Sequence, residues 1–136
     1  MIKKVLGILG ACLGVIIIGA LVFYFTVMAP GMNFAKDVET MSVQNIDVSK
    51  VSDGKYLGEF KSGKFTHQVE VTVAEHKIKD IKVLEVEDSK YSDLAKAVTN
   101  KVIEEQSLEV DAISGATTTS KALLLAIENA LSKGIK

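Results

Sequence analysis

His67-Gln68-Val69-Glu70-Val71-Thr72-Val73-Ala74 is the stretch on which the fold turns. Val69, Val71 and Val73 fall on one side of an extended chain, and Gln68, Glu70 and Thr72 on the other. A period of two in β-branched residues marks a half-buried strand. Glu75-His76-Lys77 then reverses the chain. Ile78, Ile81, Val83 and Glu85 carry the next strand, with Lys79, Lys82 and Leu84 between them. The pair reads as an antiparallel hairpin.

Working outward, Asp53-Gly54 is a turn signal before Lys55-Tyr56-Leu57-Gly58-Glu59-Phe60, a short strand, and Lys61-Ser62-Gly63-Lys64 is a second turn. After Asp88-Ser89 the period changes. Leu94, Ala95, Ala97, Val98, Val102 and Ile103 fall at helical spacing, with Ser92 or Asp93 placed to cap the start. Leu108-Glu109-Val110 is a short extended link. A second helix starts around Thr118, carries Leu123, Leu124, Ile127, Ala130 and Leu131 inward, and stops at Gly134 as a C′ residue. The order β-β-β-α-β-α predicts an α+β fold, a small antiparallel sheet packed on two helices.

An apolar segment precedes this domain. Val5 to Ala29 carries no charge and, as a helix, extends roughly 37 Å, enough to cross a hydrocarbon core of about 30 Å. Its length exceeds a signal-peptide core, which favours a single uncleaved transmembrane helix over a cleaved secretory signal. Leu9-Gly10-Ala11-Cys12 has the look of a lipid-attachment sequence, but little chain precedes it and the apolar run continues long after. Lys3 and Lys4 put the N-terminus in the cytoplasm and the domain outside. The chain therefore divides into an anchor over 1–30, a juxtamembrane spacer over 31–50 and a domain over 51–136.

Composition narrows the function. Among 136 residues there is no Arg, and no basic stripe with interleaved aromatics, which argues against nucleic acid. The one cysteine, Cys12, lies in the apolar run and permits no disulfide within the chain. His67 and His76 are the only histidines, and each reads as a surface residue, not a metal ligand. A Ser-x-x-Lys hydrolase is excluded because position 118 is Thr and its partner motifs are missing.

The chemistry concentrates in Asp111-Ala112-Ile113-Ser114-Gly115-Ala116-Thr117-Thr118-Thr119-Ser120, between the extended link and the second helix. Gly115 permits a tight path. The N–H groups that open a helix are unsatisfied within it and carry partial positive charge, which suits a phosphate. Helix capping alone also explains a Ser/Thr cluster, and these residues by themselves leave both readings open.

Asp111 to Thr117 resembles the flavinylation motif of the FMN-binding domain family, Asp-x-x-Ser/Thr-Gly-Ala-Thr. That family includes the flavin-carrying peripheral subunits of the sodium-pumping NADH:quinone reductase and of the Rnf complex, and small extracellular electron carriers. Asp53-Gly54-Lys55-Tyr56-Leu57-Gly58 is similar to the family's Asp-Gly-x-Tyr-x-Gly opening, and the resemblance spans residues 51–136. It implies a covalent FMN, joined through its phosphate to the Thr117 hydroxyl. It also implies maturation by a separate Mg²⁺-dependent flavin transferase that uses FAD. Ser114, Gly115, Ala116, Thr118, Thr119 and Ser120 then shape the phosphate site, Asp111 aids recognition or holds the turn, and Lys121 offsets charge or faces water. Tyr56, Leu57 and Tyr91 are the available ring contacts. The implied role is an extracytoplasmic electron relay, fed by a membrane reductase, a quinone pool or another flavoprotein, with no substrate of its own. The competing reading is a membrane-anchored accessory or binding domain whose flavin site is non-covalent or lost.

Overall fold

The computed structural model describes residues 1–86, 89–111 and 117–136. Three strands form one antiparallel sheet in the order β1-β2-β3: β1 (Gly54–Ser62), β2 (Phe65–Ala74) and β3 (Lys77–Glu85). The alternation expected of β2 is present: His67, Val69, Val71 and Val73 are buried, and the residues between them are half-buried. In β3 the buried residues are Ile78 and Ile81, an odd spacing for a strand. A register shift explains it. Thr72 pairs with Asp80 but Val73 pairs with Ile78, so one extra residue resets the phase and both isoleucines face the core.

The β2–β3 reversal is a two-residue loop closed by the Ala74–Lys77 pair. Glu75 and His76 both adopt left-handed backbone, at φ 55° and 57°, positions that favour Asn-Gly. Asp53 holds them there. Its carboxylate accepts from the Glu75 N–H at 3.0 Å and the His76 N–H at 3.2 Å, and these bonds lower its pKa below the ordinary carboxylate value.

Helices cover one face of the sheet. Within the described residues, α3 (Ser92–Glu105) packs on β3 and α4 (Thr117–Ser132) on β1 and β2. Tyr91 precedes α3 as its cap residue without a side-chain bond, so Ser92 and Asp93 lie inside the first turn. At the other end Gln106, itself left-handed, completes the outer edge of β3: its Oε1 accepts from the Ile78 N–H at 2.7 Å and its Nε2 donates to the Ile78 carbonyl at 2.8 Å. A side-chain amide thus takes the place of a fourth strand. Leu108-Glu109-Val110 does not join the sheet, whose ladder has three strands among the described residues. Leu108 is buried, and its N–H donates to Asn45 Oδ1 at 3.1 Å.

Helix α4 runs antiparallel to β1 and sits on it without intervening side chains. A Cβ at Gly58 would lie 1.9 Å from the Ala126 carbonyl oxygen and 2.7 Å from the Ala130 nitrogen. Asn129 Oδ1 accepts from the Glu59 N–H at 3.1 Å, and Lys133 Nζ donates to the Leu57 carbonyl. Gly134 does not show the left-handed backbone of a C′ glycine among the positive-φ residues. Its role is close packing, since a Cβ there would meet the Tyr56 ring at 2.5 Å. The chain end closes the domain with a Val51–Ile135 bridge and a 2.8 Å bond from the Ser52 N–H to the Gly134 carbonyl.

The N-terminal segment is one long helix, Ile2–Thr40, apolar and long enough to cross a membrane. It comprises α1 (Ile2–Phe23), a wider π turn (Tyr24–Met28) and α2 (Ala29–Thr40). Pro30 lies at the start of α2, and a widened turn relieves the clash of its ring with the preceding helix. The segment expected to be a spacer joins the core: Phe34, Val38 and Val48 are all buried in it. The Phe34 ring lies 5.0 Å from Phe65 and stacks on His67 at 5.6 Å with the planes 2° apart. His67 is therefore not the surface residue its sequence suggested; it is fully buried, and burial lowers its pKa to about 4.

Candidate flavin attachment site

Helix α4 opens at Thr117. The chain from Gly58 back to Ser62 lies beside the N-terminal half of α4, because Ala126 and Ala130 rest on Gly58 while Gly134 rests on Tyr56. Thr117 thus stands at the end of the domain that also holds the β1–β2 turn and α2. Lys121 makes the connection directly: its Nζ donates to the Glu39 carbonyl at 3.1 Å, on the last turn of α2. An ammonium there complements the negative end of α2. Lys121, expected either to offset phosphate charge or to face water, is thus tied to the end of α2.

The four consecutive hydroxyls are not equivalent. Thr117 is exposed and Thr118 half-buried, whereas Thr119 and Ser120 are buried, at 3% and 0% exposure. The helical period accounts for this. Thr119 and Ser120 stand four and three residues before Leu123, so they extend the buried stripe of Leu123, Ile127 and Leu131 toward the N-terminus. Thr117, Lys121 and Leu125 share the outer stripe. That signal was present in the spacing but hidden by the polarity of the residues.

No acidic side chain occupies the first turn of α4, so the positive end of the helix dipole there suits an anion. Asp111 is exposed on irregular backbone. Ser114, Gly115 and Ala116 lie outside the described residues. Of the proposed ring contacts, Tyr56 is at the wrong end of α4, about 24 Å away by helix length from Thr117. Its hydroxyl donates to the Ser52 carbonyl at 2.7 Å and its ring packs on Gly134. Leu57 is exposed and also lies toward the end of α4 distant from Thr117. Tyr91, at the start of α3, has Lys90 Nζ 4.9 Å from its ring centre.

The histidines do not converge. His67 is inside β2, and His76 lies on the β2–β3 turn with Nδ1 3.3 Å from the Val51 carbonyl oxygen. Among the described residues no group of His, Cys, Asp and Glu is gathered for a metal ion.

Neither the curated proteins nor the solved structures contain a match to this chain. The profile of the FMN-binding domain matches residues 61–132, from the end of β1 to the end of α4 and across the threonine cluster. With more than half of its length matched, and with the sheet and helices set out above, the chain belongs to the FMN-binding domain family.

Proposed function

We propose that this chain is a membrane-anchored electron-transfer flavoprotein with FMN joined covalently to Thr117. The observation that carries the reading is the accessibility of Thr117 at the start of α4, with Thr119 and Ser120 buried behind it. An enzyme approaching the folded domain reaches Thr117 and is denied the two inner hydroxyls. A phosphate esterified there lies at the N-terminal opening of α4, against the positive end of the helix dipole.

Thr117 is a weak nucleophile, and the chain's own candidate bases are otherwise engaged. His67 is buried in the sheet, and Lys121 is bonded to the Glu39 carbonyl. The family resemblance implies a separate Mg²⁺-dependent flavin transferase with FAD as donor, and a threonine without its own base fits such an external catalyst. The Thr117 oxygen forms a bond to the FMN-side phosphorus, the pyrophosphate bond breaks, AMP leaves, and the hydroxyl proton passes to the transferase. No electron moves in this step. The bound flavin then supplies one- or two-electron transfer. The chain's own residues hold the phosphate, and the tether keeps the flavin from being diluted away outside the cell.

Lys3 and Lys4 before the apolar helix support a cytoplasmic N-terminus and an extracytoplasmic domain. Electrons then arrive from a membrane reductase, a quinone pool or a partner flavoprotein and leave to an outer acceptor. The test is co-expression with a flavin transferase, followed by denaturing electrophoresis under ultraviolet light. A fluorescent band is expected for the wild type and for Thr118→Ala, and none for Thr117→Ala. Intact mass should equal chain plus FMN minus water. A dark wild-type band beside a flavinylated control protein sinks the reading.

A further inference from the structure

The junction between the long helix and the sheet holds a cavity that the flavin reading does not use. If α1 crosses the bilayer, about 20 residues span a hydrocarbon core of about 30 Å. Counted from Val5, they end near Tyr24, so Phe25 and the first turn of α2 lie at headgroup depth. At that depth a cavity of about 540 Å³ opens between helix and β1–β2 turn, within the size range of small-ligand sites. Phe25, Ala29 and Pro30 form its apolar wall, and Ser62 stands across from them.

Two charged side chains line it, Lys64 and Asp37. Lys64 is held in place: its Nζ lies 3.4 Å from the Thr26 carbonyl oxygen and 5.5 Å from the Phe65 ring centre. The Thr26 carbonyl is the one that Pro30, lacking an N–H, cannot serve four residues on. An ammonium has three donors, so Lys64 retains donors for a second acceptor. Asp37 is held too, its Oδ2 accepting from the Ser62 hydroxyl. A carboxylate accepts several hydrogen bonds, which leaves capacity for a further donor. The lining therefore carries one positive and one negative charge and no net charge.

The geometry points to a binding site for one phospholipid whose headgroup is zwitterionic with a primary ammonium, the phosphate on Lys64 and the ammonium on Asp37. A purely anionic headgroup meets Asp37 with like charge. A choline headgroup has no N–H to donate to it. The inference rests on the membrane reading of α1 but is independent of the flavin.

Full-length protein made without transferase, and so without flavin, is reconstituted in nanodiscs of equal phosphatidylethanolamine, phosphatidylglycerol and phosphatidylcholine. Release into mild detergent and native mass spectrometry then count retained lipid. One phosphatidylethanolamine per chain is expected, favoured about fivefold over either other lipid, as suits a charge-assisted contact. Lys64→Gln should lower that retention about fivefold, Lys64→Arg should keep it, and Asp37→Asn should abolish the preference over phosphatidylcholine. Unchanged melting of the variants shows that the fold persists; if Lys64→Gln melts early, the Arg and Asn variants decide. Equal retention of the three lipids, a phosphatidylglycerol preference, or indifference to the variants overturns the proposal. Alkaline extraction of membranes separately tests the span: a chain that washes off defeats the membrane reading itself.

Discussion

Replacing Gly58 by alanine tests the contact on which α4 is seated. The new methyl would lie 1.9 Å from the Ala126 carbonyl oxygen, where ordinary contact needs about 3.4 Å. The oxygen belongs to helix backbone, and the Ala130 nitrogen at 2.7 Å blocks a sideways escape. The helix must therefore lift by about 1.5 Å at this point. A gap of that order forfeits a quarter or more of the contacts of the side chains it separates. For Leu123, Ile127 and Leu131, each stabilising by roughly 1.5–3 kcal/mol when fully buried, the loss comes to about 2 kcal/mol. Loosening the bonds of Asn129 to the Glu59 N–H and of Lys133 to the Leu57 carbonyl adds about 1 kcal/mol each. Alanine's stiffer unfolded chain returns roughly 0.5–1 kcal/mol. The net cost is about 3 kcal/mol, a fall of some 12–24 °C in melting temperature for a domain of this size. Circular dichroism melting of the full chain in detergent measures it. Gly63→Ala is the comparison, because nothing lies within 4 Å there and only its φ of 58° opposes a side chain; about 1 kcal/mol is expected. A Gly58→Ala loss below that of Gly63→Ala refutes the seating argument.

Three further perturbations have defined outcomes. His67 has a folded pKa of about 4 against an ordinary 6.5, so the unfolded chain takes up the proton first. Its contribution is complete above pH 6.5 and is lost as pH falls toward 4, by about 3 kcal/mol in all, and His67→Phe should flatten that part of a stability-against-pH curve from chemical denaturation. Replacing Glu75-His76 with Asn-Gly relieves two left-handed residues and should raise stability by about 1 kcal/mol in the same melt. Gln106→Ala strips both bonds from Ile78 and should cost about 2 kcal/mol, with hydrogen exchange accelerated at the Ile78 amide more than at Val71.

The sheet was legible because β2 obeys a strict period and its neighbours follow by short turns. What escaped was whatever depends on partners distant in sequence. The phase of β3 is reset by an extra residue that leaves no mark in composition. Gln106 is an unremarkable glutamine until it lies against the edge of β3. Phe34 and Val38 sit among polar residues, and only the sheet end they cover makes them core. His67 continues the valine alternation by one step, and reading it as a surface histidine gave its polarity more weight than its register. At the candidate attachment site, the motif points to a row of hydroxyls, and resemblance selects Thr117. Burial of Thr119 and Ser120 separates the outer from the inner hydroxyls on physical grounds.

The helix that begins at Ile2 ends at Thr40 without an intervening coil, and its final turns are clamped by Phe34 on His67 and by Lys121 on Glu39. A carrier on a flexible leash sweeps a hemisphere and finds its partners by reach. On the reading proposed above, a carrier on a continuous shaft spins about the bilayer normal and drifts in the plane, but does not lean far. Its encounters are then governed by lateral diffusion and by the height of the shaft. On the proposed reading, lengthening that shaft by a whole number of turns would move the flavin away from the surface while keeping the same side toward its partner.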